Sequence, residues 1–511
     1  MIALAVFFSL FFALYLYGTR TYKYWEKKGI KHDKPVPFVG NNTRLYLMKK
    51  SITELGVEQY WKYPKEKVIG FYRAMRPELV VRDPEIIKQV LSQDFKNFHM
   101  RGVTTHRKVI EPLYKNLFLA DGDLWKLLRT RITPAFTSGK LKALFPYIVE
   151  RAEHMKEHAI NAPPTGRVLD AREVFARFTT DIIGSYGFGL DMDSLSVEDS
   201  FFRKLGVDVF KFTKTQVMIQ TLKEMFPEMC KHLRIFGKIE KDTQTFVDNV
   251  LQKRNYEPIG RNDFLDLFLE FKKKGTMVGQ SIEHFKPDGT PNEVSMELTD
   301  DIFTAQILLF FAAGFETSSS SSSITMHQLA YNPEKQRKVQ EEIDRVLAKY
   351  DNKLCYDAVN EMTYLHCAFK EGLRIFPSLG YLVRQCTQKY TFPELNLTID
   401  EGVSILIPVQ ALHMDPQYFE EPEKFRPERF LTDFKNPLTK NVYLPFGEGP
   451  RACIGERLGR MQSVAGLAAV LSKYSVEPAP ETLRYPIIDP TSNFVQSVKD
   501  GVPLMFKLRT N

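Results

Sequence analysis

Residues 446–455 read Phe-Gly-Glu-Gly-Pro-Arg-Ala-Cys-Ile-Gly, and an apolar stretch through Leu458, Val464, Leu467, Val470 and Leu471 follows directly. Three glycines and a proline predict a tight, irregular loop. The apolar spacing after it predicts a helix over 454–474. Cys453 therefore stands where a loop meets a helix start. Unpaired N–H groups there can hydrogen-bond a sulfur, and the helix dipole favours negative charge. Both favour the thiolate, the form of cysteine that ligates metal, and Arg451 adds positive charge two residues away. The alternative is a plain buried cysteine before a helix, because cysteine is among the most buried residue types.

The other cysteines, Cys230, Cys355, Cys367 and Cys386, bring the total to an odd five, and no two form a CxxC. A disulfide framework or a four-ligand zinc site is therefore poorly supported, and these four read as small buried apolar residues. Of the 511 residues, 43% are hydrophobic and 26% charged, which suits a large core and excludes disorder. A net charge of +8 is mild for this length. It suits work beside anionic lipid or an acidic partner, and with no nucleic-acid motif present it does not argue for nucleic acid.

Residues 1–17 are almost wholly apolar, and no Lys or Arg precedes Arg20. A helix through Arg20 would span about 30 Å, one bilayer core. With no basic segment before it and no small-x-small site after it, the stretch reads as an uncleaved anchor over 1–20, not a signal peptide. Arg20, Lys23, Lys27, Lys28, Lys31 and Lys34 follow, which places the rest of the chain on the cytosolic side. Tyr15, Tyr17, Tyr22, Tyr24 and Trp25 are expected at the membrane interface. Residues 21–40, with Gly29, Pro35, Pro37 and Gly40, read as a stiff basic linker.

From 41 to 511 no composition shift divides the chain, so one domain is expected. Helical periodicity marks 84–92, 123–135, 138–160, 170–186, 242–253, 298–330, 333–349 and 360–376. Short strand signals mark 68–72, 78–81, 395–399, 404–408 and 503–508. The polar segment 275–297 reads as a surface loop. The serine run 318–323 lies inside an apolar helical stretch and reads as buried helix. The fold class is mainly α with small β-sheets.

Three further clusters stand out. Glu371-Gly-Leu-Arg374 places opposite charges at i, i+3 on one helix face; alone, it reads as a surface pair worth about 0.2–0.5 kcal/mol. Ala313-Gly314-Phe315-Glu316-Thr317-Ser318 places an acid and a hydroxyl inside an apolar helix. Either Thr317 bonds back to a carbonyl one turn earlier with Glu316 paired elsewhere, or the two serve chemistry. Trp125 and Arg129 share a helix face at i, i+4, and an Arg there suits carboxylate recognition.

The pattern Phe446-x-x-Gly449-x-Arg451-x-Cys453-x-Gly455 resembles, without a gap, the haem-binding signature of the cytochrome P450 superfamily. The other clusters occur in the family's order, so the resemblance covers nearly the whole chain. It implies the cytochrome P450 fold and haem b (iron protoporphyrin IX) held by Cys453. It implies that Glu371, Arg374 and Arg429, the last from Phe425-Arg-Pro-Glu-Arg-Phe430, lock the haem loop in place. Thr317 and Glu316 match the oxygen-activation motif, Thr317 holding a hydrogen-bond network and Glu316 feeding it protons. Gly314 would let the helix open locally. Trp125, Arg129, Arg384 and Arg451 match haem-propionate residues, with Arg101 and Arg131 as weaker candidates. Phe446 and Gly449 shape the haem loop. The chain departs from the usual pattern at Ser378, where a second proline often follows Pro377, and in its six consecutive serines.

The resemblance further implies a monooxygenase that puts one oxygen atom of O2 into a lipophilic molecule. The thiolate pushes electron density toward iron and favours O–O cleavage, the effect for which this enzyme class is known. Electrons would come from NADPH through an NADPH–cytochrome reductase, with cytochrome b5 as a second candidate donor, and Lys424, Arg426, Arg457 and Arg460 could form the docking face. The pocket is expected from the segment after His99, residues 303–317, residues 378–383 and the loop near Phe494. Residues 201–230, rich in Phe and Met, read as core or membrane-facing helix. The anchor and the two central motifs are similar to insect microsomal members. That implies the cytosolic face of the endoplasmic reticulum and substrates among xenobiotics, plant toxins, insecticides, or endogenous lipids and hormones. A haem-thiolate isomerase or dehydratase and a non-catalytic haem-binding protein are the rival readings.

Overall fold

The computed structural model describes every residue except 191–193, 196–200, 262, 433–440, 493 and 511. The apolar N-terminus forms α1 (Ile2–Thr19), in which only Gly18 is buried. At 1.5 Å per residue it is about 27 Å long. Its C-terminal end rests on the body: Tyr17 stacks on Phe226 at 6.0 Å, and Phe38 lies against Gly18.

Residues 21–40 do not hang free between α1 and the body. Trp25 is fully buried, its Nε1 donating to Phe71 O at 3.0 Å, and Tyr22 meets Tyr72 edge-on at 5.1 Å. Gly70 leaves the space that the indole fills. The expected interfacial aromatic Trp25 is thus a core residue. An indole with a satisfied N–H gains more from full burial than from a wet interface.

Strands β1 (Val68–Arg73) and β2 (Arg76–Val81) form one edge of a four-stranded sheet. Helices α2 (Gly122–Ile132) and α3 (Ala171–Phe188) come next. Residues 275–297 are not a loop: β3 (Thr276–Phe285) and β4 (Pro291–Glu297) make an antiparallel hairpin. Its outer face is polar, which masks the alternation in the sequence. Helices α4 (Asp300–Ala330), α5 (Thr363–Ile375) and α6 (Glu456–Lys473) pack together, and β5 (Leu382–Gln385) and β6 (Ser404–Ile407) complete the first sheet in the order β1-β2-β6-β5. Pairing of β2 with β6 is parallel, Leu79 opposite Ile405.

The core is built around α4, which α3, α5 and α6 enclose. Its six serines are buried, and Ser319, Ser321 and Ser323 bond back to carbonyls three or four residues earlier. That back-bonding lets a polar run cross an apolar core. Two of the four remaining cysteines, Cys367 and Cys386, are buried as expected; Cys230 and Cys355 are only half-buried.

A charge network ties this core to the loop before α6. Glu371 and Arg374 are fully buried, and Arg374 Nε and Nη2 each donate to the Glu371 carboxylate at 2.8 Å. Arg429 Nε donates to Glu371 Oε1 at 3.1 Å, as does the Arg426 backbone N–H at 2.9 Å. Arg374 also donates to the carbonyls of His413 and Pro422 at 2.8 and 2.7 Å. The ring of His413 carries the connection onward, its Nε2 accepting from Leu444 N at 2.9 Å. Burial, with the Arg374 charge, pushes this imidazole down to about 3, so it stays neutral and able to accept. Of the pair reading and the network reading, the buried network is what forms.

Removing one partner leaves the others buried and uncompensated. Arg429→Ala should therefore cost about 3–5 kcal/mol, read as a lowered midpoint in denaturant unfolding. The buried imidazoles add a pH dependence. Burial pushes His366 down to about 4 and His413 to about 3, whereas an unfolded imidazole titrates near pH 6.5. Between those values the unfolded chain binds more protons, so stability should fall as pH drops below about 6.5. Thermal midpoints between pH 7.5 and 5 should decline, and the slope should be shallower in His366→Gln.

Candidate functional site

The loop before α6 is closed by its own backbone: Cys453 N donates to Phe446 O at 2.8 Å and Ala452 N to Gly449 O at 2.9 Å. Gly449 has φ +75, and a Cβ there would meet Leu91 O at 1.9 Å. Only glycine lets the loop lie that close to its neighbour. Cys453 is thereby presented to a cavity of about 220 Å³ between the loop and α4. A larger recess of about 570 Å³ lies over Arg76, Lys115 and Glu401. It is lined by neither Cys453 nor Thr317, so the smaller one is the candidate site.

Trp125, Arg129, Gly314, Thr317, Arg384, Phe446, Arg451 and Cys453 all line this cavity. Glu316 and Gly449 do not. Arg101, the weaker candidate, also lines it. Arg131 instead points away, donating through Nη2 to Val278 O at 3.0 Å. The segment after His99 contributes Leu117 and Phe118, and the segment after Pro377 contributes Ser378, Leu379 and Leu382. Phe494 stands behind, edge-on to Phe118 at 5.6 Å. Ile183, Phe264, Leu309 and Phe310 make the rest of the upper wall apolar.

Cys453 is open to the cavity, yet protein surrounds it in depth. Burial pushes its thiol up, and the Gly455 N–H and the charges of Arg129 and Arg101 offset only part of this. The helix-start N–H of Gly455 and the arginine charge act in the direction expected from the sequence, and burial outweighs them. Desolvation of the anion outweighs a few partial charges, and a metal cation bonded to the sulfur would supply what is missing.

At one end of the cavity the side chains of Arg101, Arg129, Arg384 and Arg451 converge, with Asp121 as their carboxylate partner. Arg451 Nη2 donates to Asp121 Oδ1 at 3.0 Å, and its guanidinium stacks on Trp125 at 4.3 Å. Burial and neighbouring positive charge push Arg451 down to about 9, and burial pushes Arg101 to about 10. Arg384, with burial first and Arg101 and Arg451 adding to it, falls well below its usual value. Arg101 Nε, Arg384 Nε and Arg451 Nη1 are buried without a hydrogen-bond partner among the described residues. Such a surplus of unpaired donors calls for an anion with several oxygens. A thiol open to the cavity and guanidinium groups beside it with donors to spare fit an iron porphyrin bearing two carboxylates.

Thr317 and Glu316 face different ways. Thr317 lines the cavity and its Oγ1 donates to Ala313 O at 2.8 Å. Glu316 is 2% exposed and ion-paired with Arg172 of α3. Burial opposes the Arg172 charge, but the field and hydrogen bond of Glu316 prevail and raise it. Helix α4 runs unbroken across Gly314, whose missing side chain is the space occupied by Ile183 of α3. The glycine thus serves a close helix crossing, and Gln462 Nε2 donates to its carbonyl at 2.8 Å.

The two departures from the family pattern meet here. Ser378 Oγ and Ser321 Oγ lie 2.9 Å apart, and both donate to Thr317 O, at 3.0 and 2.7 Å. Asp121 and Arg172 escaped the sequence reading. Arg172 lies 144 residues from Glu316, and no local spacing signals such a pair. Asp121 had a faint signal, an acid just before the predicted helix start. Among the basic candidates for a docking face, Arg457 and Arg460 lie in the first turns of α6, while Lys424 and Arg426 pair with Glu421 and Glu420.

A family model described as Cytochrome P450 matches residues 31–503. Among curated proteins, Cytochrome P450 6B7 of Helicoverpa armigera is 35% identical over 489 residues, 95% of this chain and 94% of that protein. Probable cytochrome P450 6a13 of Drosophila melanogaster is 35% identical over 505 residues, 98% of each chain. Cytochrome P450 6k1 of Blattella germanica is 34% identical over 511 residues, covering 99% and 96%.

Proposed function

The chain belongs to the cytochrome P450 family, and on that premise we propose which residues carry its chemistry and what it acts on. It is a haem-dependent monooxygenase, an oxidoreductase. The haem, when bound, supplies the activation of dioxygen, and the protein supplies ligand, proton path and pocket.

Cys453 is the iron ligand, and the Phe446–Cys453 backbone bond holds its sulfur toward the cavity. Arg101, Arg384 and Arg451 would hold the two haem carboxylates through guanidinium donors without partners among the described residues, with Arg129 beside them in the lining. Trp125 keeps Arg451 in place by stacking. Phe446 and Gly449 hold the loop's shape. Thr317 Oγ1 rests its proton on Ala313 O, which leaves the same oxygen to accept a hydrogen bond from the cavity side. Glu316 is the second member of this proton path, reached from behind the wall where it pairs with Arg172, and it passes protons on instead of storing one. Gly314 allows the α3–α4 crossing that sets the height of the cavity.

The observation that carries this reading is the convergence of Cys453, Thr317 and four arginines on one largely apolar cavity. Its lining supports a lipophilic small-molecule substrate: a xenobiotic, plant toxin or insecticide, or an endogenous lipid or hormone. Electrons come from NADPH through an NADPH–cytochrome reductase, with cytochrome b5 as an auxiliary donor. The exposed apolar α1, with mean hydropathy 2.0, supports anchoring in the endoplasmic reticulum membrane with the body in the cytosol.

Cys453→Ser should abolish the red-shifted Soret band of the reduced, carbon-monoxide-bound protein; a variant keeping that band overturns the ligand assignment. With reductase present, Thr317→Ala should retain the band but divert NADPH electrons into peroxide, product per NADPH falling about tenfold or more. Unchanged coupling would remove Thr317 from the proton path. Product formed without NADPH would favour a rearrangement over oxygenation.

A further inference from the structure

Helix α2 presents two faces to two different neighbours. Trp125 and Arg129 line the cavity. Asp123, Leu127 and Arg131 repeat at i, i+4, i+8, and the step from Trp125 to Leu127 turns about 200° round the helix, so they occupy the opposite face. Strand β3 lies along that face, running antiparallel to the helix. Arg131 Nη2 donates to Val278 O at 3.0 Å. Gly279 closes on Leu127, where a Cβ would come within 2.8 Å of Leu127 Cδ2. Ser281 Oγ donates to the Asp123 carboxylate, 2.8 Å from each oxygen, and Ile282 N donates to Asp123 Oδ1 at 2.7 Å. Asp123 N in turn donates to Glu283 Oε2 at 3.2 Å.

The lengths match. Eight residues of helix rise about 12 Å, and the four strand steps from 278 to 282 cover about 13 Å. The β3–β4 ladder runs in register from Thr276↔Glu297 to Gln280↔Glu293, then shifts between Gln280 and Phe285. The polar groups released by that irregularity, at Ser281, Ile282 and Glu283, are the ones bonded to α2. Asp123 and Ser281 are each 4% exposed, so this contact is desolvated and its hydrogen bonds are worth correspondingly more.

We propose that the hairpin 276–297 is a brace that positions α2, and that through Trp125 and Arg129 it governs how firmly the chain retains haem. Ser281 and Asp123 are positioning residues, since neither lines the cavity. The inference rests on the haem reading above.

The test uses the full-length holoenzyme in detergent and measures haem transfer to excess apomyoglobin, together with hydrogen exchange of the α2 amides. Ser281→Ala should release haem about tenfold faster, as expected for losing hydrogen bonds to a buried charge. It should also speed exchange across 123–131, and Ser281→Thr should restore both. Thr290→Ala, at the hairpin tip with its side chain bonded to Asp288, should leave both unchanged. Wild-type haem release and exchange in Ser281→Ala would overturn the brace. If Ser281→Ala does not fold, Arg131→Gln reads the other end of the brace. Faster release there supports the proposal and unchanged release overturns it. If the wild type shows no thiolate-type Soret band, the haem reading fails instead, while exchange over 123–131 still reports on the brace.

Discussion

The carboxylate of Glu371 has no access to water, and the placement of Cys453 depends on how that charge is satisfied. Two guanidinium groups and a backbone N–H converge on it. Arg374 spends its remaining donors on the carbonyls of His413 and Pro422, and the His413 ring fixes Leu444, two residues before Phe446. Phe446 O then accepts from Cys453 N. A buried ion pair on its own is weak evidence of stability, since desolvation can cancel its attraction. Here its value is positional: each partner has only one place to stand.

The cavity shows the complementary situation, charge left unsatisfied. Among the described residues, Arg101, Arg384 and Arg451 keep buried donors without partners, and burial together with neighbouring positive charge pushes their pKa values down. Burial pushes the Cys453 thiol up. A site that disfavours its own cations at one end and its own anion at the other is one that an iron porphyrin with two carboxylates would relieve at both. The Arg172–Glu316 pair, by contrast, is complete, and it closes the wall behind Thr317.

Local signals made much of this legible. The loop before α6 announced itself by glycine spacing, α4 by its apolar length, and the strands near 68–81, 404–408 and 503–508 by short apolar runs. The hairpin 276–297 was missed because one polar face and a Gly-containing turn resemble a loop. Trp25 was misplaced for a related reason: an aromatic beside basic residues reads the same whether it meets lipid or fills the space over Gly70. Arg131 and Arg129 are two residues apart with the same chemistry, yet one faces the cavity and the other the hairpin.

Residue type and spacing along the chain determined the family, the cysteine proposed as iron ligand, the apolar first helix and the mainly helical class. Those properties reside in contiguous stretches, where glycine freedom, periodicity and charge act over a few residues. Tertiary structure alone decided that Glu316 turns to Arg172, that Ser321 and Ser378 meet at the Thr317 carbonyl, that Gly314 serves a helix crossing, and that β3 braces α2. Each of these depends on which groups become neighbours once the core excludes water. Partners far apart in the chain, such as Asp123 and Ile282 at 159 residues, leave no periodic trace in the sequence.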